Sequence, residues 1–383
     1  MAAIPLLDAT PLAGAHALRG IGTAVAGMLA GFAALPAARR PHVLLAADQA
    51  GPPGFGHARL ARPPWRLARL RLPDPWPALA GERRLRTGAG PATVIHATQP
   101  DLVPSGPVVA TCYDLIPLRF RDEYLAGPGR LPEALAYRRQ MARLRAATLV
   151  VAISQETAAD LRNLARVDAG RIRVVPLGGP LSAEPTAPHE PSTRPHSGES
   201  VPEGPFALYS GSLEPHKNLT LLVDALAALG DRAPDLRLVL TGPWSPGRLA
   251  RLRDRAEEAG VAGRILWLGH VPTSELAALR ARALCQVVPS RAEGFGLPVL
   301  EAMAAGLPVL AGDTPAVREV AGEAARLLPV DAPVLWAQEL AALAADPAEA
   351  GRLRAAGIAR AEGFGWTATA EALWEVYAEA AAA

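Results

Sequence analysis

The chain has 383 residues, of which half are apolar, 20% are charged, 35 are Gly, 38 are Pro and two are Cys. At roughly 100–200 residues per domain this allows two or three domains, and the ordinary apolar content excludes a disordered or fibrous chain. Cys112 and Cys285 are too few for a disulfide scaffold and lack zinc-site spacing, which points to a reducing compartment. The N-terminus carries no basic segment, so it does not read as a secretory signal, and the expected location is cytoplasmic.

The net charge of +2 conceals an asymmetry, because residues 1–178 hold 22 Arg against 12 acidic groups, while residues 179–383 hold 17 basic against 25 acidic. One half is therefore suited to an anionic partner. All but one of the 39 basic residues are Arg, the exception being Lys217.

In chain order, the first clear element is residues 20–38, uncharged and long enough to span a bilayer. Ile21, Val25, Met28, Leu29, Phe32 and Leu35 nevertheless share one helical face, which predicts a helix packed on a core. Gly20-Ile-Gly22-Thr23 stands at its start and matches only the first two glycines of a GxGxxG pattern, with Val25 in the third place. Short apolar runs predict strands at 42–47, 93–97, 108–112, 148–153 and 172–176. Between the first two lies a basic stretch, Arg59, Arg62, Arg66, Arg69, Arg71, Arg83, Arg84 and Arg86, with Trp65 and Trp76 among them. It either keeps a Pro-rich loop soluble or docks an anionic membrane or a phosphate-bearing acceptor. Tyr113-Asp114 follows the strand at 108–112, where it would bind ligand hydroxyls, or else pack as a Tyr beneath the loop with Asp as a turn residue. Ser154 reads as the N-cap of the helix carrying Ala158, Leu161 and Leu164.

Residues 179–204 contain six Pro and no aliphatic period, so they read as a linker. It separates an N-terminal domain, 1–178, from a C-terminal one, 205–383, whose last helix could pack back on the N-terminal domain. Beyond it, strands are predicted at 206–210, 237–241, 265–269, 285–289, 308–311 and 325–329, each followed by a helical segment, and Ala-rich helices at about 333–345, 347–361 and 366–381. Strands alternating with helices in both halves predict two doubly wound parallel α/β sheets, which bind ligands beyond their strand ends. No 20–50-residue period exists, so a solenoid is excluded.

Two motifs of the second half carry chemistry. Gly211-Ser212-Leu-Glu-Pro-His216-Lys217-Asn218 follows the first strand, with Gly211 where a phosphate would lie and Asn218 placed to cap the next helix. A single lysine among so many arginines suggests that a compact ammonium is needed there. Glu293-Gly-Phe295-Gly296-Leu297-Pro298-Val-Leu-Glu301 follows the strand at 285–289. Gly294 and Gly296 allow close backbone approach, Pro298 suits a first helical turn, and Gly306 stops the helix after about two turns. The amides of Phe295, Gly296 and Leu297 would then face an anion, most naturally phosphate. The alternative is an ordinary strand–turn–helix with solvated glutamates. No HExxH, Walker A, GxSxG or Asp-X-Asp occurs, which counts against zinc peptidases, P-loop NTPases, serine hydrolases and metal-bridged glycosyltransferases; no metal site and no cofactor is expected.

LYSGSLEPHKNLTLLVDAL, ILWLGHVPTSELAALRARA and VVPSRAEGFGLPVLEAMAAGLPVLAGDTPAVREVAGEAA resemble the retaining glycosyltransferases of family 4, with Glu293 and Glu301 as its E-x7-E motif. The first half resembles the family more loosely, through RGIGTAVAGMLAGFA, TCYDLIPLRF and the segment from Val150 to Gly178. The resemblance implies the GT-B fold, two Rossmann-like domains facing across a cleft, with a nucleotide-sugar donor on the second domain and the acceptor largely on the first. Glu301 would hold the ribose hydroxyls. Glu293 and the amides of Phe295, Gly296 and Leu297 would hold the transferred sugar and the diphosphate. Lys217 would neutralise the diphosphate, with Gly211 and Ser212 beside it, the backbone near Val271 would meet the base, and Gly22 would approach the donor phosphate or the acceptor. Tyr113 stands where the family commonly has a His that touches the donor sugar, with Asp114 beside it. Ser212 or His216 stands where the family often has Arg, so one positive charge is missing unless His216 is protonated or another Arg reaches in.

The implied activity is metal-independent, retaining transfer of a mannose- or glucose-type hexose from a nucleoside diphosphate sugar to an acceptor hydroxyl. A non-catalytic nucleotide-sugar-binding homologue is the alternative, and a sugar epimerase or phosphorylase on the same fold is a third reading. The acceptor is a glycan, a lipid-linked or a small molecule, with peripheral contact to an anionic membrane as one option; nucleic acid is not expected as a partner.

Overall fold

The structure, a computed structural model, describes residues 4–13, 20–46, 49–59, 94–99, 108–127, 129–180 and 201–383. The chain divides into two compact units, Met1–Leu181 with Phe364–Ala383, and Ser182–Gly363. Most of the segment read as a linker, residues 181–200, lies outside the described residues, as does nearly all of the arginine-rich stretch.

The first unit is built on an all-parallel sheet of seven strands in the order β3-β2-β1-β4-β5-β6-β7. The strands are β1 Leu6–Asp8, β2 His42–Leu45, β3 His57–Arg59, β4 Ile95–Ala97, β5 Val108–Cys112, β6 Leu149–Ala152 and β7 Ile172–Val174. Its longer helices are α1 Gly20–Ala34, α2 Leu131–Ala146 and α3 Gln155–Asn163. Val108–Cys112 is buried at every position, as expected of a strand covered on both faces. The Ser154 hydroxyl accepts from the Thr157 amide at 3.1 Å and so caps α3, as its position in the sequence predicts.

α1 is the uncharged segment that could have been taken for a membrane span. Val25, Met28, Leu29, Phe32 and Leu35 are buried, and no helix among the described residues is long and apolar enough to cross a membrane. Its small residues have a separate reason. The C-terminal helix Trp366–Ala382 belongs to this unit, and a Cβ on Gly31 would lie 2.1 Å from the Trp366 carbonyl oxygen. On Gly27 it would lie 2.1 Å from the Trp366 indole. The Trp366 Nε1–H donates to Gly179 O at 2.6 Å, and the Tyr377 hydroxyl lies 2.7 Å from His96 Nδ1. The last helix is thereby tied to β4 and to the segment that follows β7.

The second unit carries a six-stranded parallel sheet in the order β10-β9-β8-β11-β12-β13. Its strands are β8 Phe206–Ser210, β9 Arg237–Thr241, β10 Ile265–Gly269, β11 Cys285–Val288, β12 Val309–Gly312 and β13 Arg326–Leu328. The helices are α4 Leu219–Leu229, α5 Pro246–Glu258, α6 Thr273–Arg282, α7 Leu297–Ala304, α8 Pro315–Ala321, α9 Pro333–Ala345 and α10 Pro347–Ala361; the Trp366–Ala382 helix of the first unit is α11. A continuous core joins β8, β9 and β11 to α4, α5 and α9 through Leu222, Leu226, Leu240, Val287 and the fully buried Trp336.

Every strand read from the sequence is present, with its ends within two residues of those predicted, and among the described residues two were missed. β1 has only three residues after Pro5, too short for an apolar run to register, although it is central. β3, His-Ala-Arg, is an edge strand whose polar residues carry no β signal.

Candidate functional site

In the second sheet the chain moves outward from β8 to β9 and β10, then returns to place β11 on the other side of β8. The strand order therefore reverses between β8 and β11, and the crevice beyond their carboxyl ends is where a doubly wound sheet accepts ligands. The two chemistry-bearing motifs are the segments that leave these two strands.

After β8, Gly211 is sterically fixed, because a Cβ there would lie 2.7 Å from the Tyr209 hydroxyl. That hydroxyl donates to Ser212 O at 2.6 Å, and Trp244 Nε1 donates to Gly211 O at 3.0 Å. The loop is held from both sides by side chains that no motif revealed. A single turn of 3-10 helix, Pro215–Lys217, then presents Lys217. After β11, Ser290 leads into Glu293, and Gly296, at φ +104°, turns the chain into α7. That backbone is open to glycine but strained for other residues. Gly294 has no positive φ, so of the two motif glycines only Gly296 is needed for its conformation.

The two segments meet directly. Lys217 Nζ donates to both carboxylate oxygens of Glu293, at 2.7 and 2.9 Å, and Ser290 Oγ donates to Oε1 at 2.6 Å. The Lys217 side chain is 16% exposed and that of Glu293 7%. Burial alone would raise the Glu293 pKa, but the Lys217 charge, its hydrogen bonds and the Ser290 hydroxyl outweigh it and hold the carboxyl below its usual value. Glu293 is thus a buried anion and Lys217 its cation, beside the start of α7, whose first amides have no acceptor within the helix. The second carboxylate of the motif does not join this pair. Glu301 lies one turn into α7, and its Oε2 accepts from Arg280 Nη2 at 2.5 Å. Phe295 is buried, and Val271 is buried just past the end of β10.

Two sequence readings need correction. Asn218 does not cap α4 with its side chain; it adopts φ +57°, and its amide donates to Pro289 O at 3.2 Å and Val330 O at 2.8 Å, joining the ends of β11 and β13. His216 does not supply the missing charge, because burial, then the charges of Lys217, Arg291 and Arg248, depress its pKa to about 4 despite Glu293. It is neutral near pH 7. Arg248 instead reaches toward the loop, pairing with Glu214 at 3.0 Å, and Arg291 Nη2 donates to Pro215 O at 3.2 Å.

The remaining predicted residues lie in the first unit. Gly22 is buried within the first turn of α1 rather than in a loop ahead of it. Asp114 is exposed, and its Oδ1 accepts from the Ile116 amide at 3.1 Å, the turn role. The Tyr113 hydroxyl is buried without a hydrogen-bond partner among the described residues. Burial first, and then the Asp8 and Cys112 charges, push the phenol's pKa up. Asp8, at the end of β1, is itself buried; its Oδ1 accepts from Thr10 and its Oδ2 from Thr98 Oγ1 at 3.1 Å. Thr98, Asp8 and Tyr113 follow or end β4, β1 and β5, so this group sits where the first sheet's strand order reverses. Asp8 and Thr98 carried no motif. No group of three or more His, Cys, Asp or Glu able to hold a metal occurs among the described residues.

Comparison with known proteins gives the family of the chain. The Glycosyltransferase Family 4 profile matches residues 19–182 and the Glycosyl transferases group 1 profile matches residues 194–360. The chain belongs to the group 1 glycosyltransferases of family 4. Its two parallel sheets are the two halves of the GT-B fold. Among solved structures it resembles sucrose-phosphate synthase from Thermosynechococcus elongatus, with TM-score 0.70, 21% identity and 98% of each chain covered. Anabaena HepE in complex with UDP-glucose aligns with TM-score 0.69 and 16% identity, over 98% of this chain and 100% of that one. In sequence it is 35% identical over 243 residues to D-inositol 3-phosphate glycosyltransferase of Xylanimonas cellulosilytica, covering 61% of this chain and 58% of that protein. The protein of the same name from Jonesia denitrificans is 31% identical over 283 residues, 71% of this chain and 66% of that one. The chain thus spans between half and two thirds of the length of these curated relatives.

Proposed function

We propose that the protein transfers a hexose of the mannose or glucose type from a nucleoside diphosphate sugar to an acceptor hydroxyl, with retention at the anomeric carbon and without a metal ion. The observation that carries this reading is the buried Lys217–Glu293 pair at the β8/β11 strand reversal, beside the start of α7. When the bond between the anomeric carbon and the phosphate oxygen breaks, its electron pair leaves with the oxygen, and one further negative charge must be stabilised on a diphosphate that already carries two. Lys217 supplies one unit of positive charge and the start of α7 about half a unit, both fixed before the reaction. Glu293, turned toward Lys217, aligns that ammonium and accepts hydroxyls of the sugar. The acceptor oxygen forms the new bond on the face the diphosphate leaves, and its proton passes to a leaving phosphate oxygen. Glu301 receives the ribose, the backbone near Val271 the base, and the first unit the acceptor.

The test is release of nucleoside diphosphate from UDP-, GDP- and ADP-linked hexoses by the purified protein. It is run alone and with candidate acceptors, including the inositol phosphate for which the curated relatives are named. Turnover is expected to survive EDTA; complete loss restored by Mg²⁺ or Mn²⁺ would contradict the charge accounting above. The neutral His216 and the buried Tyr113 hydroxyl favour a second reading, a nucleotide-sugar binder without turnover. Saturable donor binding with no diphosphate release under any acceptor would select it.

The acceptor's setting follows from charge. At about 1 kcal/mol per basic residue near an anionic surface, four engaged arginines give measurable, salt-sensitive binding. The protein is expected to sediment with vesicles containing anionic lipid, and not with neutral ones, at low salt. Changing Arg62, Arg66, Arg69 and Arg71 to Ser should abolish this while donor hydrolysis continues. Equal, negligible pelleting with both vesicle types would leave a soluble acceptor.

A further inference from the structure

The Arg280–Glu301 contact has features that a structural ion pair between helices does not need. Arg280 lies on α6, the crossover from β10 to β11, and Glu301 on α7, so the contact links the helix entering β11 to the one leaving it. The guanidinium side chain is 12% exposed and the carboxylate 25%. A pair built for stability would present the Arg fork to both carboxylate oxygens, as two parallel bonds. Here a single Nη2–H meets Oε2 at 2.5 Å, Arg280 Nε is buried with no acceptor, and Oε1 of Glu301 has no hydrogen-bond partner among the described residues. The arginine fixes the carboxylate by one oxygen and leaves the other open.

We propose that Arg280 is the positioning residue for the ribose end of the donor. It holds Glu301 in one orientation so that the open oxygen accepts from a ribose hydroxyl, and thereby sets preference for ribo- over deoxyribonucleotides. This rests on the donor reading above. A carboxylate free to rotate would lose alignment with the diol, and a hydrogen bond to a charged acceptor depends strongly on that alignment. A guanidinium reaches Glu301 from α6 where a shorter ammonium would do so with different geometry.

The test measures binding of UDP, GDP and ADP and of their 2′-deoxy forms to the intact protein. For whichever base binds best, the wild type should prefer the ribo form at least tenfold, and Glu301→Gln should lose that preference. Arg280→Met is expected to bring the ribo-to-deoxy ratio to within about threefold, and Arg280→Lys to an intermediate value. A merely structural pair would weaken both forms alike and leave the ratio unchanged, which would overturn the role. Should Arg280→Met fail to fold, as read by its melting curve, Arg280→Lys decides alone: a lowered ratio supports the role and a wild-type ratio removes it. No binding of any nucleoside diphosphate to the wild type would instead overturn the donor reading, and this role with it.

Discussion

Lys217→Ala is expected to lower kcat/KM for donor turnover at least about a hundredfold, roughly 2.7 kcal/mol of transition-state stabilisation. The ammonium is the nearest fixed cation to Glu293, and His216 beside it is neutral, so no neighbouring histidine substitutes for it. Lys217→Arg should recover only part of the loss, because the longer, planar guanidinium spreads its charge and places it elsewhere than the compact ammonium fixed beside Glu293. The same change acts on stability, since removing one partner of a buried pair costs about 3–5 kcal/mol. The pH dependence separates the two effects. In the wild type the folded pKa of Glu293 is depressed, so its contribution is fully present above the ordinary carboxylate value and is lost as pH falls through the folded value. Without Lys217 burial becomes the dominant cause and the folded pKa is raised, so the variant loses stability as pH rises above the ordinary value. The gap in melting temperature between wild type and Lys217→Ala should therefore widen from pH 4 to pH 7. Adding Glu293→Gln to Lys217→Ala should narrow that gap without restoring turnover. Near-normal kcat/KM in Lys217→Ala would refute the role.

How far these features could be read beforehand depends on the range of the interaction involved. The strands of the second sheet are buried apolar runs set between turns, so local pattern finds them, and Ser154 announces α3 through a bond only three residues long. β1 escaped because three residues after a proline carry no period, and only pairing with β2 and β4 makes them a strand. The glycines of α1 show the same limit. Their apolar face was legible, but the need for no side chain at Gly27 and Gly31 comes from Trp366, more than three hundred residues away. In the site, Glu293, Glu301 and Lys217 stand in motifs, whereas Ser290, Trp244 and Arg280 act through contacts that a linear pattern does not encode. Asn218 is the instructive error. A helix-initial Asn is a capping signal, yet the side chain bonds two carbonyls at other strand ends, because tertiary acceptors outcompeted the local amides.

Gly296→Ala is expected to reduce kcat/KM by about a hundredfold while the fold survives. There is room for the methyl, since the nearest atom to an added Cβ is Val317 Cγ2 at 3.8 Å, so crowding is not the cause. The cause is the backbone, held at φ +104°, where an alanine costs of order 1–3 kcal/mol. The chain relieves that strain by rotating the peptides on either side, which carry the amides of Gly296 and Leu297. A domain of this size tolerates the energetic cost, and the melting temperature should fall by only a few degrees. Catalysis tolerates the movement far less, because displacing a group by about 1 Å from its productive geometry can cost about a hundredfold. Gly294→Ala provides the comparison. Gly294 lies two residues away in the same motif without a positive φ, so its alanine variant should keep within about tenfold of wild-type kcat/KM. Equal losses in the two variants would show that bulk near Glu293, and not the left-handed turn into α7, governs turnover. Full activity in Gly296→Ala would mean that the amides at the start of α7 do not hold the leaving diphosphate.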